Sequence, residues 1–352
     1  MRNALIIITI CIVCTILQSC GQKKVSSDSG SQATSGTGTN TEVSTGKGKP
    51  FAHGEAGKIL VVMSDNDWKS VAGDSVRAVF YEECPNMPYD QSYMDLVHIP
   101  YEKFVDKNML NRNILFFERI AAQKQGELKI EKNRYAIDQT FVRITAANQK
   151  DFVKALCDKR KYIINYFISA DRERYINSYQ YYRNGTGENK IAQHFNISIM
   201  LPSKFHVDEI LNNFSWISYE NSKTMYGIFV YDYPLTDTTT LSVDQIVARR
   251  NEVLEKCVPG GPEGSYMTTE TKYDYPSIDT LTHRGTNTAV VHGMWKMHGD
   301  FMGGPFVSYT KIDEARQRVV CVEGFVFEPN SPVREKIREV ESIISTYSIN
   351  PL

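Results

Sequence analysis

The sequence lacks the short motifs that mark common catalytic sites. Its 352 residues contain no Gly-x-Ser-x-Gly, no His-Glu-x-x-His and no Gly-x-x-x-x-Gly-Lys-[Ser/Thr]. The 40 lysines and arginines are balanced by 41 aspartates and glutamates and form no basic block, which argues against a nucleic-acid partner. We therefore expect no cofactor and no nucleic-acid partner. Whether the protein is an enzyme stays open here, and the missing templates favour a non-catalytic role.

Cysteine is scarce after residue 20, where only Cys84, Cys157, Cys257 and Cys321 occur. Their wide spacing, without Cys-x-x-Cys, argues against zinc, and we expect no metal site. In an oxidising compartment the four cysteines could form two disulfides. The pairs Cys84–Cys157 and Cys257–Cys321 would keep each disulfide within one predicted domain. The alternative is four buried thiols that act as small hydrophobic side chains.

No hydrophobic run is long enough for a typical transmembrane helix. Residues 4–17 carry no charge and follow Arg2, but they fall short of the roughly 20 residues that a spanning helix needs. Such a segment is typical of a signal peptide. The sequence Leu17-Gln18-Ser19-Cys20 resembles the lipobox of bacterial lipoproteins, in which the cysteine is diacylated and becomes the mature N-terminus. This predicts a signal peptide over 1–19 and lipidation at Cys20, with a non-cleaved N-terminal anchor as the alternative.

The next thirty or so residues are poor in branched aliphatic side chains and rich in Ser, Thr and Gly. Such a composition cannot bury enough apolar surface to fold, so residues 20–50 are predicted to be a flexible tether. In lipoproteins of two-membrane bacteria, Asp after the lipidated Cys favours the inner membrane. Gly21 and Gln22 stand here instead and favour the outer membrane. Lys23 and Lys24 replace the acidic cluster of surface-exposed lipoproteins, which favours a periplasm-facing body.

The folded body is predicted to be α+β, with two domains that each carry a mostly antiparallel or mixed sheet covered by helices. An N-terminal α/β domain is expected over 51–185, where strand-like and helix-like segments alternate and end in a long amphipathic helix over 149–178. The polar segment 181–190 is the expected linker. A C-terminal α+β domain is expected over 190–352. Its predicted elements are strands over 195–201, 214–220 and 225–233, a helix over 243–257, a meander with strands over 286–298, 306–312 and 318–328, and a closing helix.

Several segments of the sequence together carry a family resemblance. They are residues 249–260, Tyr266-Met267-Thr268-Thr269-Glu270, Gly293-Met294-Trp295, residues 301–306 and Glu323-Gly324-Phe325. With these segments the chain resembles DUF4837, a family of uncharacterised Bacteroidota lipoproteins, and the similarity spans most of residues 58–348, including Trp68 and the turn over 111–114. The resemblance implies a lineage and an envelope address, without an assigned chemistry. The expected partners are the membrane, through the N-terminal lipid, and an envelope protein or glycan.

One aromatic segment is a candidate binding surface. Its residues are Trp295, Phe301, Met302, Gly303, Gly304 and Phe306. They could form an exposed groove with Trp295 as its floor, which accepts a glycan or a peptide. The alternative is a packed hairpin, because large apolar residues are usually buried.

Two polar groupings complete the candidate sites. Arg250 and Glu270 could form a polar cluster, which is either a structural ion pair or the centre of an envelope hydrolase or transferase. On one strand, His292, Met294 and His298 fall on the same face at alternating positions, as in some copper sites, but Lys296 between them is unfavourable.

Overall fold

A computed structural model describes residues 40–43, 46–236, 239 and 241–352 of the chain. The predicted signal peptide, the predicted lipidation site Cys20 and the predicted tether up to residue 39 lie outside the described residues and stay predictions. The described residues form one compact unit. Within them, every helix is too short or too polar to cross a bilayer.

The N-terminal part of the chain carries a six-stranded sheet. Its strands are β1 (Asn40–Val43), β2 (Lys58–Val62), β3 (Asp95–Ile99), β4 (Asn113–Arg119), β5 (Glu127–Lys132) and β6 (Thr140–Ala146). Their order is β1-β5-β6-β4-β2-β3. The four strands β6, β4, β2 and β3 run parallel, whereas β5 is antiparallel to β6. Because β1 pairs with β5, ordered structure already begins within the segment predicted as a tether.

The helices of the N-terminal part are α1 (Asp65–Trp68), α2 (Val71–Phe80), α3 (Gln149–Asp158) and α4 (Arg160–Tyr179). Side-chain oxygens of Ser64, Ser70 and Asn148 accept backbone N–H groups in the first turns of α1, α2 and α3, as N-caps do. The single helix predicted over 149–178 is interrupted at Lys159, whose φ of −112° leaves the helical range. Because apolar residues keep a helical spacing on both sides, periodicity does not reveal this break.

The C-terminal part carries an eight-stranded antiparallel sheet and a short ribbon. Its strands are β7 (Ile197–Ser198), β8 (His206–Ile210), β9 (Phe214–Glu220), β10 (Met225–Pro234), β11 (Tyr266–Glu270), β12 (Ser277–His283), β13 (Thr286–His298), β14 (Gly303–Asp313), β15 (Arg318–Phe327) and β16 (Ser348–Ile349). The large sheet has the order β11-β13-β14-β15-β10-β9-β8. β12 pairs with the first half of β13, and β11 pairs with its second half. β7 and β16 form the ribbon.

Helices α5 (Gly185–Phe195), α6 (Val243–Cys257) and α7 (Arg334–Ile344) cover this sheet. Side chains alternate along β15, so that Val320 and Val322 pack in one core with α5 and α7, whereas Cys321 and Phe325 pack in another core with α6. Gly324 lets α7 approach closely, since a Cβ there would lie 2.1 Å from Cγ1 of Val340. The predicted α+β class is confirmed.

The segment between the two sheets differs from its prediction. The polar stretch 181–190 predicts a linker, but α5 begins inside it at Gly185. The Oδ1 atom of Asn184 accepts the N–H of Gly187 at 2.9 Å and caps the helix. The helix ends at Asn196, whose φ of 50° is left-handed. The strand predicted over 195–201 is therefore reduced to the two residues of β7. The predicted domain limits of 51–185 and 190–352 stay a prediction.

Candidate functional site

A cavity of about 370 Å³ lies where the N-terminal part meets the large sheet of the C-terminal part. The loop after α2 and the helix α4 line one side, and β12, β13, β14 and α7 line the other. On α4 the lining residues Asn165, Ile168 and Arg172 recur at helical spacing, so they share one face. On α7, Ile337 and Glu341 do the same. The site is thus built from both parts of the chain.

Glu341 is the centre of a hydrogen-bonded cluster in this cavity. Its Oε1 accepts a hydrogen bond from Nη2 of Arg172 at 2.5 Å and another from the hydroxyl of Tyr309 at 3.1 Å. Nε2 of His292 lies 3.7 Å from the same oxygen. Since Arg172 comes from α4, this cluster connects the two parts of the chain.

Three members of the cluster, Glu341, Tyr309 and Arg172, each keep one protonation state near neutral pH. Burial alone would raise the pKa of Glu341, but Arg172, His292 and Tyr309 more than offset this and hold that pKa well below its usual range. Burial and the nearby Glu341 carboxylate raise the pKa of Tyr309 far above that of a free phenol. Burial disfavours the charge on Arg172, yet Glu341 raises its pKa above the ordinary value. Glu341 is therefore an acceptor, and Arg172 and Tyr309 are donors.

Arg338 and Cys84 lie at another wall of the cavity. Arg338 donates to the backbone oxygen of Tyr93 at 3.0 Å and to Oε1 of Glu335 at 2.9 Å, so its charge is compensated. Burial raises the pKa of the Cys84 thiol, although Arg338 and Arg334 oppose the shift. Cys84 is consequently a thiol near neutral pH, and a thiol is a poor nucleophile.

The lining combines polar groups with apolar walls. Asn165, Ser169 and Asp279 are exposed, whereas Val290 and Phe306 are buried. This combination suits a ligand with both polar edges and apolar faces.

Arg250 does not contact Glu270, so the predicted polar cluster is wrong. Arg250 forms a fully buried pair with Glu323, with Nε to Oε2 at 2.8 Å and Nη2 to Oε1 at 2.7 Å. Its Nη1 donates to Oγ1 of Thr269 at 2.8 Å, and its guanidinium carbon lies 3.9 Å from the ring centroid of Phe306. With no exposed surface, this pair has a structural role.

Glu270 pairs with a different cation. Its Oε2 lies 2.9 Å from Nζ of Lys296, and its Oε1 accepts the backbone N–H of Lys272 at 2.6 Å. Burial would raise the pKa of Glu270, but Lys296 and the backbone N–H groups lower it below the ordinary value. A carboxylate with a lowered pKa is unsuited to act as a general acid. Glu270 and Arg250 also have different partners, so they do not form the joint polar cluster on which the hydrolase or transferase hypothesis was based.

The predicted aromatic groove is also wrong for Trp295, Gly304 and Phe306, which are buried. Trp295 and Phe306 are each 1% exposed and belong to the core beneath α6. Nε1 of Trp295 donates to the backbone oxygen of Val326 at 3.2 Å. A Cβ at Gly304 would lie 2.2 Å from that same oxygen, which explains the glycine.

The remaining residues of the groove lie closer to the surface. Gly303 and Met302 are half-buried, and Phe301 is fully exposed at the tip of the hairpin. The packed-hairpin alternative therefore describes the segment, apart from its tip.

The predicted disulfides are not formed. Cys84, Cys157, Cys257 and Cys321 are all free. Cys84 and Cys321 are buried, as the alternative proposed, whereas Cys157 and Cys257 are half-buried. Cys321 sits inside β15, where its sulfur accepts a hydrogen bond from the hydroxyl of Thr310 at 3.4 Å.

The strand face considered for copper is engaged in other contacts. His292 faces Glu341, Lys296 pairs with Glu270, and the ring of His298 stacks on Tyr266 with centroids 4.8 Å apart. Within the part of the chain that the structure describes, no three His, Cys, Asp or Glu residues come together as a possible metal site.

The sequence analysis did not predict three residues of this cavity, namely Arg172, Tyr309 and Glu341. One signal was available for Glu341, which lies four residues after Ile337 on the apolar face of α7 and is a charge among hydrophobic side chains. Charged residues are almost never buried without a partner. No comparable signal marks Arg172, because its partner is 169 residues away in the chain.

The N-terminal and C-terminal parts match two different family models. Residues 52–180 match a domain of unknown function, DUF8532, and residues 184–346 match a domain of unknown function, DUF4837. No curated protein matches the chain.

Among solved structures, the chain is similar to a point mutant of protein Mog1, to the Ran-binding protein Mog1p of Saccharomyces cerevisiae and to LpqN of Mycobacterium tuberculosis, which is involved in cell envelope biogenesis. The identities are 10%, 10% and 12%, and the TM-scores are 0.30, 0.27 and 0.27. Each similarity covers 44% of this chain and 90%, 90% and 83% of the other. At these TM-scores we transfer no property from them.

The family resemblance is confirmed over a narrower range than the sequence suggested: residues 184–346 match DUF4837, whereas Trp68 and the turn over 111–114 lie in the part that matches DUF8532.

Proposed function

We propose that this protein is a periplasm-facing lipoprotein of the outer membrane that acts as a non-catalytic binding module for a cell-wall glycan. In this proposal Cys20 carries the lipid, and the tether lets the folded body move beside the membrane. The cavity between the N-terminal and C-terminal parts receives the ligand.

The protonation states of four side chains in the cavity support a role in recognition. General acid–base catalysis needs a group whose pKa lies near the working pH. The pKa values of four side chains, Glu341, Arg172, Tyr309 and Cys84, are all shifted further away from pH 7. Each of these side chains therefore keeps one protonation state near neutral pH. These four side chains therefore offer fixed donors and acceptors, which suit recognition.

The lining also supports a neutral ligand that is rich in hydroxyl and amide groups. The lining contains two arginines, Arg172 and Arg338, and two acidic residues, Glu341 and Asp279, so these four residues together carry no net charge. The volume of about 370 Å³ falls within the range of small-molecule sites. The half-buried ring of Tyr93 offers apolar surface to the C–H face of a sugar.

The test is ligand-observed saturation-transfer NMR on the full chain with an N-acetylglucosamine trimer and with soluble muropeptides. Leu281 on β12 lines the cavity and is 39% exposed, so Leu281→Trp should fill the cavity without disturbing the core. The neighbouring Thr280 is exposed on the opposite face of β12, which makes Thr280→Trp the matched control.

We expect saturation transfer with the wild type and with Thr280→Trp, and loss of the signal with Leu281→Trp. The proposed cavity is refuted if Leu281→Trp binds as strongly as the wild type. The glycan as ligand is refuted if the wild type shows no transfer with either probe, and crosslinking from position 281 in cells would then identify an envelope protein.

A further inference from the structure

The ammonium group of Lys204 is enclosed by four aromatic rings. Its Nζ lies 4.7 Å from the ring centroid of Tyr219, 5.3 Å from Tyr226, 5.7 Å from Tyr179 and 5.9 Å from Phe205. All four distances are within the range at which a cation is attracted to an aromatic ring. A single ring near a lysine is ordinary, but four rings around one nitrogen form a cage.

A carboxylate completes the cage. Oε1 of Glu339 accepts a hydrogen bond from Nζ of Lys204 at 2.8 Å and another from the hydroxyl of Tyr179. Burial and the nearby Glu339 raise the pKa values of Tyr179 and Tyr226 far above that of a free phenol, so both rings stay neutral. The site therefore combines one negative charge with four ring faces, which is the chemistry that binds ammonium ions.

Four of the five cage residues lie on helices or strands, whereas Phe205 and the occupant Lys204 lie in the connection between β7 and β8. Tyr179 is the last residue of α4, Tyr219 and Tyr226 are cross-strand partners on β9 and β10, and Glu339 lies on α7. Lys204 belongs to a turn between β7 and β8. Its side chain is 33% exposed, so the cage is open to solvent on the side where the lysine enters.

We propose that Tyr179, Phe205, Tyr219, Tyr226 and Glu339 form a binding site for an alkylated ammonium group, and that Lys204 occupies this site in the free protein. The nitrogen of Lys204 stands in the position of the ligand nitrogen. A methylated ammonium places apolar C–H surface against the same rings and loses less hydration than a primary amine does. The site shares no residue with the cavity beside Glu341, so it is independent of the glycan proposal.

Lys204 then acts as a tethered competitor. A group attached by a short flexible segment competes at an effective concentration of about a millimolar or more. A ligand must displace it, which weakens the apparent affinity of the wild type. We expect Lys204→Ala to bind choline at least ~10-fold more tightly than the wild type.

The experiment is a ligand-observed NMR titration of the full chain with choline chloride. The neutral isostere 3,3-dimethylbutan-1-ol, which has carbon in place of nitrogen, controls for hydrophobic binding. Lys204→Met is the matched variant, because it keeps an unbranched side chain in the cage without the charge. Tyr219→Leu in the Lys204→Ala background removes the nearest ring. Circular dichroism establishes that each variant is folded.

The proposal predicts that Lys204→Ala binds choline and not the isostere, and that binding is lost in Lys204→Met and in the double variant. It is overturned if folded Lys204→Ala does not bind choline, or if it binds the isostere equally well. A second measurement uses the wild type alone. Ring currents should shift the methylene protons of Lys204, and high choline should return them towards free-lysine values, whereas no change would refute displacement.

Discussion

The guanidinium of Arg172 on α4 and the carboxylate of Glu341 on α7 join the N-terminal and C-terminal parts of the chain through a 2.5 Å hydrogen bond. Other contacts reinforce the same junction. Arg334 of α7 lies 3.1 Å from a carboxylate oxygen of Asp95 on β3, and Tyr179 of α4 donates to Glu339 of α7. Of these contacts, the pair of Arg172 and Glu341 lines the candidate cavity, so the shape of the cavity depends on that pair.

Glu341→Gln should destabilise the protein strongly. The variant leaves the largely buried guanidinium of Arg172 without a negative partner, and breaking such a pair costs about 3 kcal/mol. Urea unfolding monitored by circular dichroism measures this change. Glu252→Gln is the control, since Glu252 pairs with Arg249 at an exposed position and should change the free energy of unfolding by less than about 1 kcal/mol.

The same variant has a defined pH dependence. The folded-state pKa of Glu341 lies below its unfolded value of about 4.3, so this carboxylate contributes its full stability above that pH and loses it as the pH falls further. The difference between wild type and Glu341→Gln should not decline between about pH 7 and about pH 5 and should shrink at about pH 3. A difference that already declines above about pH 5 would contradict the assigned network.

The buried pair of Arg250 and Glu323 should behave as a structural element. Glu323→Leu leaves the guanidinium of Arg250 buried without its partner and should cost about 3–5 kcal/mol. The double variant Arg250→Met with Glu323→Leu replaces both charges by apolar groups and should recover most of that loss. Urea unfolding of the two single variants and the double variant gives the coupling free energy. A double variant as unstable as the single one would show that the charges have another role.

Long periodic elements could be predicted from the sequence because their local pattern is strong. The helix over 243–257 matches α6, and the strands predicted over 225–233, 286–298 and 318–328 match β10, β13 and β15 within one residue. The linker predicted over 181–190 was wrong because Asn-Gly is typical of turns. In the structure Asn184 instead caps the helix α5. Short strands such as β11 and β12 were missed, since they hold few apolar residues and depend on pairing with β13.

The site residues could be predicted less well than the fold. Side chains alternate along a strand, which places His292 and Trp295 on opposite faces of β13. This alternation does not tell which of the two faces is covered by a helix. Arg250 was predicted to belong to a polar cluster with Glu270, yet its partner Glu323 is 73 residues away and only the tertiary fold identifies it. Pairings between distant segments leave no mark in a single sequence, which explains why the predicted partner Glu270 was wrong.

Lys311 should make stability rise with pH in the alkaline range. This lysine is buried on β14, and its Nζ donates to the backbone oxygens of Tyr347 at 3.2 Å and His283 at 3.4 Å. Burial, with the help of Arg284, lowers its pKa to about 8. Between about pH 8 and the unfolded value of about 10.4, the unfolded chain binds the proton and the folded chain does not.

Lys311→Met removes this titration. The free energy of unfolding of the wild type, relative to that of the variant, should therefore increase by about 3 kcal/mol between about pH 8 and about pH 10.5. Urea unfolding at a series of pH values measures the difference, and the subtraction cancels the ionisation of tyrosines. If the difference in free energy of unfolding does not change with pH, the pKa of Lys311 is not lowered in the folded state.

Cys20→Ser tests the proposed membrane attachment. Serine cannot form the thioether that carries the diacylglycerol, so the variant should keep its signal peptide and gain no fatty acid. Two or more acyl chains give stable attachment, because each buried methylene contributes about 0.8 kcal/mol. Intact-mass measurement and metabolic labelling with an alkyne fatty acid detect the modification, and sucrose-gradient fractionation separates the outer membrane from the inner one. Cys84→Ser is the control and should be lipidated and sorted as the wild type is. If Cys20→Ser is still processed and fractionates with the outer membrane, then the lipid on Cys20 is not what holds the protein there.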